Sequence, residues 1–215
     1  MTASTETRSF ARVVAAALVA VSLAACDAGN PPAEPSGENA SPTEPAPPQV
    51  PSFRFSLRDR NVIAAAPGGL STRERRRARD AMETVRSLVT DLYVDAFLDP
   101  QSWSAGDYGE VFSLFAGGAR DESRRRSDTL TAGEDAGARF DRIEPVEGHM
   151  RLEVLLDRGG KPMLIATGVQ FRARGAGAER SMIRSEGSYL FRKVDGAWRI
   201  VSFDVIRDDR RIGGA

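Results

Sequence analysis

Tyr189-Leu190-Phe191-Arg192-Lys193-Val194-Asp195-Gly196-Ala197-Trp198-Arg199-Ile200 reads as two strands joined by a tight turn. Asp-Gly tolerates the two positive-φ positions that a two-residue hairpin requires, and the residues beside it favour strands. Upstream, apolar residues recur at alternate positions in Met150, Leu152, Val154 and Leu156, and again in Met163, Ile165, Thr167, Val169 and Phe171. A further strand runs through Ile183, Gly187, Tyr189 and Phe191. Asp157-Arg158-Gly159-Gly160 and Gly175-Ala176-Gly177 punctuate these runs as turns. Past the hairpin, the same alternation places Trp198, Ile200, Asp204 and Ile206 on one face. A period of two over successive segments predicts an antiparallel meander.

The period before residue 133 is different. Ala78, Met82, Val85, Leu88, Val89, Leu92 and Ala96 follow at spacings of three and four, one face of a long amphipathic helix. Ser71-Thr72-Arg73-Glu74 fits a capping box at its start, and Asp99-Pro100 ends it. A second helix is predicted over Tyr108–Ala116, with Val111, Leu114 and Phe115 inward, and a third over Arg120–Leu130. Phe53 to Val62 is either a first strand or an irregular arm. The expected class is α+β, with N-terminal helices packed on an antiparallel sheet.

The N-terminus carries an address. Arg8 and Arg12 precede an apolar run, Val13 to Leu23, which ends in Leu23-Ala24-Ala25-Cys26. A basic head, a short apolar stretch and small residues describe a secretory signal over 1–25. The run holds about half of the roughly 20 apolar residues that a permanent span requires. Leu23, Ala24, Ala25 and Cys26 resemble the lipobox of bacterial lipoproteins. That resemblance implies lipidation of Cys26 and cleavage just before it. It implies a location on the outer face of the cell membrane, with the membrane as a partner through the N-terminal lipid. Two or more acyl chains suit this, because a single chain binds only marginally. Cys26 is the only cysteine, so the mature domain has no disulfide and no thiolate.

Residues 26–52 form a proline-rich tether. They hold eight of the twelve prolines, four acids and no Lys or Arg. Such a composition cannot offset its ordering entropy by burial, and an extended spacer is expected. At about 3.1 Å per residue its upper reach is roughly 80 Å. Residues 53–215 are left for one domain, with a core over about 70–208. They carry 28 basic and 25 acidic residues, a balance too mild for a nucleic-acid partner.

Helices followed by a meander, with the turn glycine and Trp198-Arg199-Ile200 of the last hairpin, resemble the nuclear-transport-factor-like superfamily. This includes the ketosteroid-isomerase-type and SnoaL-like domains. Leu130-Thr131-Ala132-Gly133 and the helix before it resemble exported actinobacterial members. The resemblance covers residues 70–208 and implies a cone-shaped, cystatin-like arrangement with a sheet curved around the helices. It also implies a pocket at the wide end of the cone. The candidate lining is Tyr93, Phe97, Trp103, Tyr108, Phe115, Trp198 and Asp204, either a hydrophobic binding site or plain core.

Enzymes of this fold use a carboxylate in an apolar cone, and Asp204 and Glu186 are the carboxylates considered for that role. No catalytic pattern maps onto particular positions. His149, the only histidine, is expected in a turn before a strand. One histidine and no free thiol leave only carboxylates for a metal, so no metal site is expected. Gly175-Ala176-Gly177 precedes no helix and is not a phosphate loop, so no cofactor is called for. The leading expectation is a membrane-anchored, non-catalytic domain that binds a hydrophobic small molecule or an envelope protein. An isomerase-, dehydratase- or cyclase-like enzyme and a homodimerising module are the alternatives. Arg73, Arg75, Arg76, Arg77 and Arg79 crowd the first helix start, either as a solvated face or as a contact for anionic headgroups.

Overall fold

The computed structural model describes residues 49–64 and 69–213. The expected signal segment, its Leu23, Ala24, Ala25 and Cys26, and the tether through residue 48 lie outside them. Contacts divide the chain into Met1–Pro45 and Ala46–Ala215, and the described residues all lie in the second unit. Among the described residues the core runs from Phe55 to Val205, all within this unit.

The capping box forms as the sequence requires. Ser71 Oγ accepts from the Glu74 amide at 3.3 Å, and Glu74 Oε2 accepts from the Ser71 amide at 2.7 Å. Helix α1 follows over Thr72–Tyr93 and buries Ala78, Met82, Val85, Val89 and Leu92. It widens into a π-type turn over Val94–Leu98 and stops at Asp99. The Asp99 carboxylate then caps a short helix α2, Pro100–Ala105, by accepting from the Gln101 amide at 2.9 Å. Proline at the first helical position loses nothing there, because that amide has no partner inside a helix. Ending one helix and starting another are thus done by the same dipeptide.

The remaining helices are shorter than expected. α3 covers Gly109–Ser113, with Phe115 bridging to Ile200 just beyond it. The single third helix is two, α4 over Gly118–Arg125 and α5 over Ser127–Leu130, divided where Arg126 leaves helical geometry. α6, Ala136–Arg139, is the last helix before the meander.

Five strands make one sheet in the order β1-β2-β3-β4-β5. They are β1 Ser56–Ala64, β2 Arg142–Leu156, β3 Pro162–Ala176, β4 Arg180–Val194 and β5 Ala197–Arg211. β2 to β5 are the predicted meander. β1 pairs with β2 in parallel, so the sheet is mixed and not purely antiparallel. The helices intervene between β1 and β2 and supply the long crossover that parallel pairing requires. The last hairpin turns at Asp195 and Gly196, with φ of 51° and 81°. Both are positive, as a primed turn demands.

The helices cover one face of the sheet. Phe55, Tyr93, Phe97, Phe171, Tyr189 and Phe191 are all buried there. The Phe171 ring lies 5.0 Å from Tyr93, 5.3 Å from Phe53 and 5.4 Å from Phe97. Such aromatic pairs add about 0.5–1.5 kcal/mol each beyond their burial.

β5 contains a bulge. Leu190 pairs with Ser202 while Phe191 pairs with Ile200, which leaves Val201 as the extra residue. A bulge shifts the alternation by one. Trp198 and Ile200 face the helices, and so does Val205. Asp204 and Ile206 face solvent. The expectation that Asp204 shares a face with Trp198 and Ile200 is therefore overturned.

Candidate functional site

The predicted pocket residues do not line one cavity. Tyr93 and Phe97 stack at 5.4 Å in the filled core. The Tyr93 hydroxyl lies 2.9 Å from Ser185 Oγ and receives a longer hydrogen bond from Tyr189 at 3.4 Å. Burial pushes the Tyr93 and Tyr189 hydroxyls above their ordinary range, Tyr189 well above it. Tyr108 donates to the Gly133 carbonyl at 2.9 Å, and burial raises it to about 12. Trp103 is buried with no partner for its indole N–H among the described residues. Phe115 packs edge-on against Phe203 at 5.3 Å. Trp198 reaches a basin at the hairpin end of the sheet. The buried polar residues described are threonines and serines, with no carboxylate among them.

An open groove of about 520 Å³ lies instead on the sheet face away from the helices. Arg58, His149, Arg151 and Gln170 line one side, and Glu186, Asp204 and Ile206 line the other. Two bulges and two glycines build it. The bulge between Leu57 and Asp59 lets Arg58 reach across to Gln170 Oε1, which accepts its hydrogen bond at 3.2 Å. The bulge in β5 turns Asp204 and Ile206 outward. Gly168 leaves the floor open, and the Arg151 side chain lies above it, 3.7 Å from where a Cβ would stand. Gly187 has φ of 153° and lets β5 approach, where a Cβ would meet Val205 Cα at 2.6 Å. Glycine in a strand often marks such a close backbone approach.

Charge is divided across the groove. Glu186 pairs with Arg184 at 2.6 Å, while Arg151 and Asp204 make no ion pair among the described residues. His149 sits within β2 and not in a turn, because the strand begins at Arg142. Its Nδ1 is 2.7 Å from Ser56 Oγ, and its Nε2 is 3.7 Å from Glu147. Arg172 donates to Glu147 at 3.0 Å and, as the largest cause, holds its carboxyl below the usual range. Ser56 Oγ also lies 2.9 Å from the Gly148 carbonyl oxygen. The hydroxyl thus has the Gly148 carbonyl and the imidazole both within reach, and the His149 tautomer sets which of them it faces.

Asp204, Glu186 and His149 were all singled out from the sequence, and the fold brings them together. Arg58, Arg151 and Gln170 were not. The available signal was glycine at 168 and 187 inside strands. The described unit is an α+β domain with helices on one face of a five-stranded mixed sheet and a charged groove on the other. No protein-family model and no curated protein matches the chain.

Proposed function

We propose that this chain is a lipid-anchored, non-catalytic protein of the bacterial cell envelope that docks a partner protein in the outer groove. In this reading Cys26 carries the lipid, and the domain is a nuclear-transport-factor-like fold whose sheet curves around the helices. The bulges at Arg58, Val146 and Val201 favour such bending. The aromatic filling of the core carries the choice of ligand. Phe53, Phe55, Tyr93, Phe97 and Phe171 occupy the interior where a hydrophobic small molecule or an isomerase substrate would sit. The groove offers opposite charges on facing walls and suits an extended polypeptide bearing both signs.

A photo-crosslinking residue at Ser188, exposed beside the groove, tests this in the host cell. Ser87 on the outer side of α1 is the control position. An adduct with an envelope protein at 188 and none at 87 is expected, lost in Arg151→Ala/Asp204→Ala. An adduct that survives that double change would sink the groove as the docking site. An adduct with a second copy of this chain would transfer the role to dimerisation.

A further inference from the structure

We infer that the α1-start end of the domain is a membrane-docking surface, selective for the anionic headgroups of phospholipids. The surface is assembled from three elements. α1 contributes Arg73, Arg75, Arg76, Arg77 and Arg79 in its first turns. The β2–β3 turn contributes Arg158 and Lys161, and the β4–β5 end contributes Arg192, Lys193 and Arg199. One basin of about 740 Å³ joins all three, lined by Arg77, Lys161, Arg192 and Lys193 above Met163 and Trp198. The acids at this end are Glu74, Asp80, Asp157 and Asp195. Glu74 is engaged in the cap, and Asp157 accepts from the Gly159 and Lys161 amides at 2.8 and 2.9 Å.

Ten cations thus stand against four acids. None of the ten forms an ion pair with a described carboxylate, whereas ten other arginines of the domain do. Arg192 and Arg199 are direct cross-strand partners, a like-charge pairing that is unfavourable by itself. The helix makes the same point. Cations at a helix N-terminus and anions at its C-terminus both oppose the macrodipole. The first turn of α1 holds Arg73 and Arg75 against one acid, Glu74, with Arg76, Arg77 and Arg79 just beyond, and its last turn has no basic residue. Beyond that last turn Asp95 is held above its usual range, first by burial and then by Asp91, Asp99 and Glu110. Both ends of α1 are therefore charged against its own stability. An external anionic surface relieves the basic end and repels the acidic end, which fixes which end faces the bilayer.

Met163, 48% exposed within the basic ring, supplies an apolar contact at the same level. Lys193 Nζ lies 5.5 Å from the Trp198 ring centre, so a cation and an aromatic are already stacked where headgroups would sit. The surface adds a second, non-covalent contact to the anchored reading and depends on that reading only for its cellular setting.

The unit Ala46–Ala215 contains every described core residue but lacks Cys26 and the apolar run, so its vesicle binding reports this surface without the anchor. Cosedimentation should show binding to vesicles of phosphatidylcholine with phosphatidylglycerol and none to phosphatidylcholine alone. Binding should fade as salt shortens the Debye length below about 10 Å. Arg73→Gln/Arg76→Gln/Lys161→Gln should weaken partitioning about a hundredfold, because each basic residue near the surface contributes about fivefold. Arg124→Gln/Arg174→Gln/Arg180→Gln removes the same charge elsewhere and should leave most binding intact. Equal binding to both vesicle types, or equal losses in the two triple variants, would overturn the inference. Loss of the anchored reading has a separate signature: no acyl mass on the full chain, with vesicle binding preserved.

Discussion

Gly187→Ala tests the geometry from which the groove is built. The residue sits at φ of 153°, a region that side-chain-bearing residues rarely adopt. Holding alanine there costs about 1–3 kcal/mol. The added Cβ would also meet backbone, at 2.6 Å from Val205 Cα and closer still to the Asp204 carbonyl oxygen. Backbone cannot rotate aside as a side chain does, so β5 must shift, and overpacking of this kind adds about 1–3 kcal/mol. The sum is about 4 kcal/mol. At about 2–4 °C per kcal/mol for a domain of this size, the melting midpoint should fall by about 10 °C. Gly168→Ala on the adjacent strand is the matched comparison. Its nearest neighbour would be an Arg151 side-chain nitrogen at 3.7 Å, ordinary contact. Restricting the unfolded chain should then raise stability by about 0.4–1 kcal/mol. Circular dichroism melts of Ala46–Ala215 read both changes. If Gly187→Ala melts within about 2 °C of the parent, the close approach of β4 and β5 is not as described.

The three tyrosines predict lability in alkali. All three have folded pKa values raised by burial, Tyr108 to about 12, above an unfolded value near 10. Their neutral forms therefore stabilise the fold fully below about pH 10, and this is lost progressively as pH rises from there towards about 12. The denaturant midpoint should drop across that window, with tyrosinate absorbance rising together with unfolding; tyrosinate appearing near pH 10 in a folded chain would contradict the burial. Tyr93→Phe removes the hydroxyl between Ser185 and Tyr189 and should cost about 1–3 kcal/mol by leaving buried groups unpaired, as read by urea melts. Cys26→Ala should release the full chain's tight membrane association and abolish an acyl mass at residue 26. Unchanged fractionation of that variant, with no acyl mass on the parent, would end the lipoprotein reading.

The meander, the capping box, the first helix and the primed turn were legible because each is written within a few neighbouring residues. Ser71 and Glu74 need only each other, and Asp195-Gly196 needs only its own dihedral freedom. The parallel pairing of β1 was not legible, since Leu57 meets Met150 across 93 positions and nothing local announces it. The division of α4 from α5 was hidden as well, because Arg126 is no breaker by type. Its guanidinium is held from far along the chain, donating to the Val205 carbonyl at 2.8 Å and lying over the Phe203 ring at 5.3 Å.

The reassignment of Asp204 shows why the site was harder to read than the fold. A strand's alternation assigns faces only from a known phase, and one extra residue reverses every assignment beyond it. Trp198 and Ile200 set the phase correctly, but Val201 is bulged, and no feature of Val201-Ser202-Phe203 distinguishes it from an unbroken strand. Val205 regains the core by the shift, and Asp204 leaves it. An ionised carboxylate facing Phe191 and Ile200 would carry a burial penalty of several kcal/mol unless paired. The bulge avoids that penalty and at the same time places the charge in the groove opposite Arg151. Asp204→Leu should therefore cost little stability, because its side chain already faces water, while removing the acidic wall from the docking groove. A stabilisation of more than about 2 kcal/mol in urea melts, the relief of a buried charge, would return Asp204 to the interior and undo both the bulge and the site built on it.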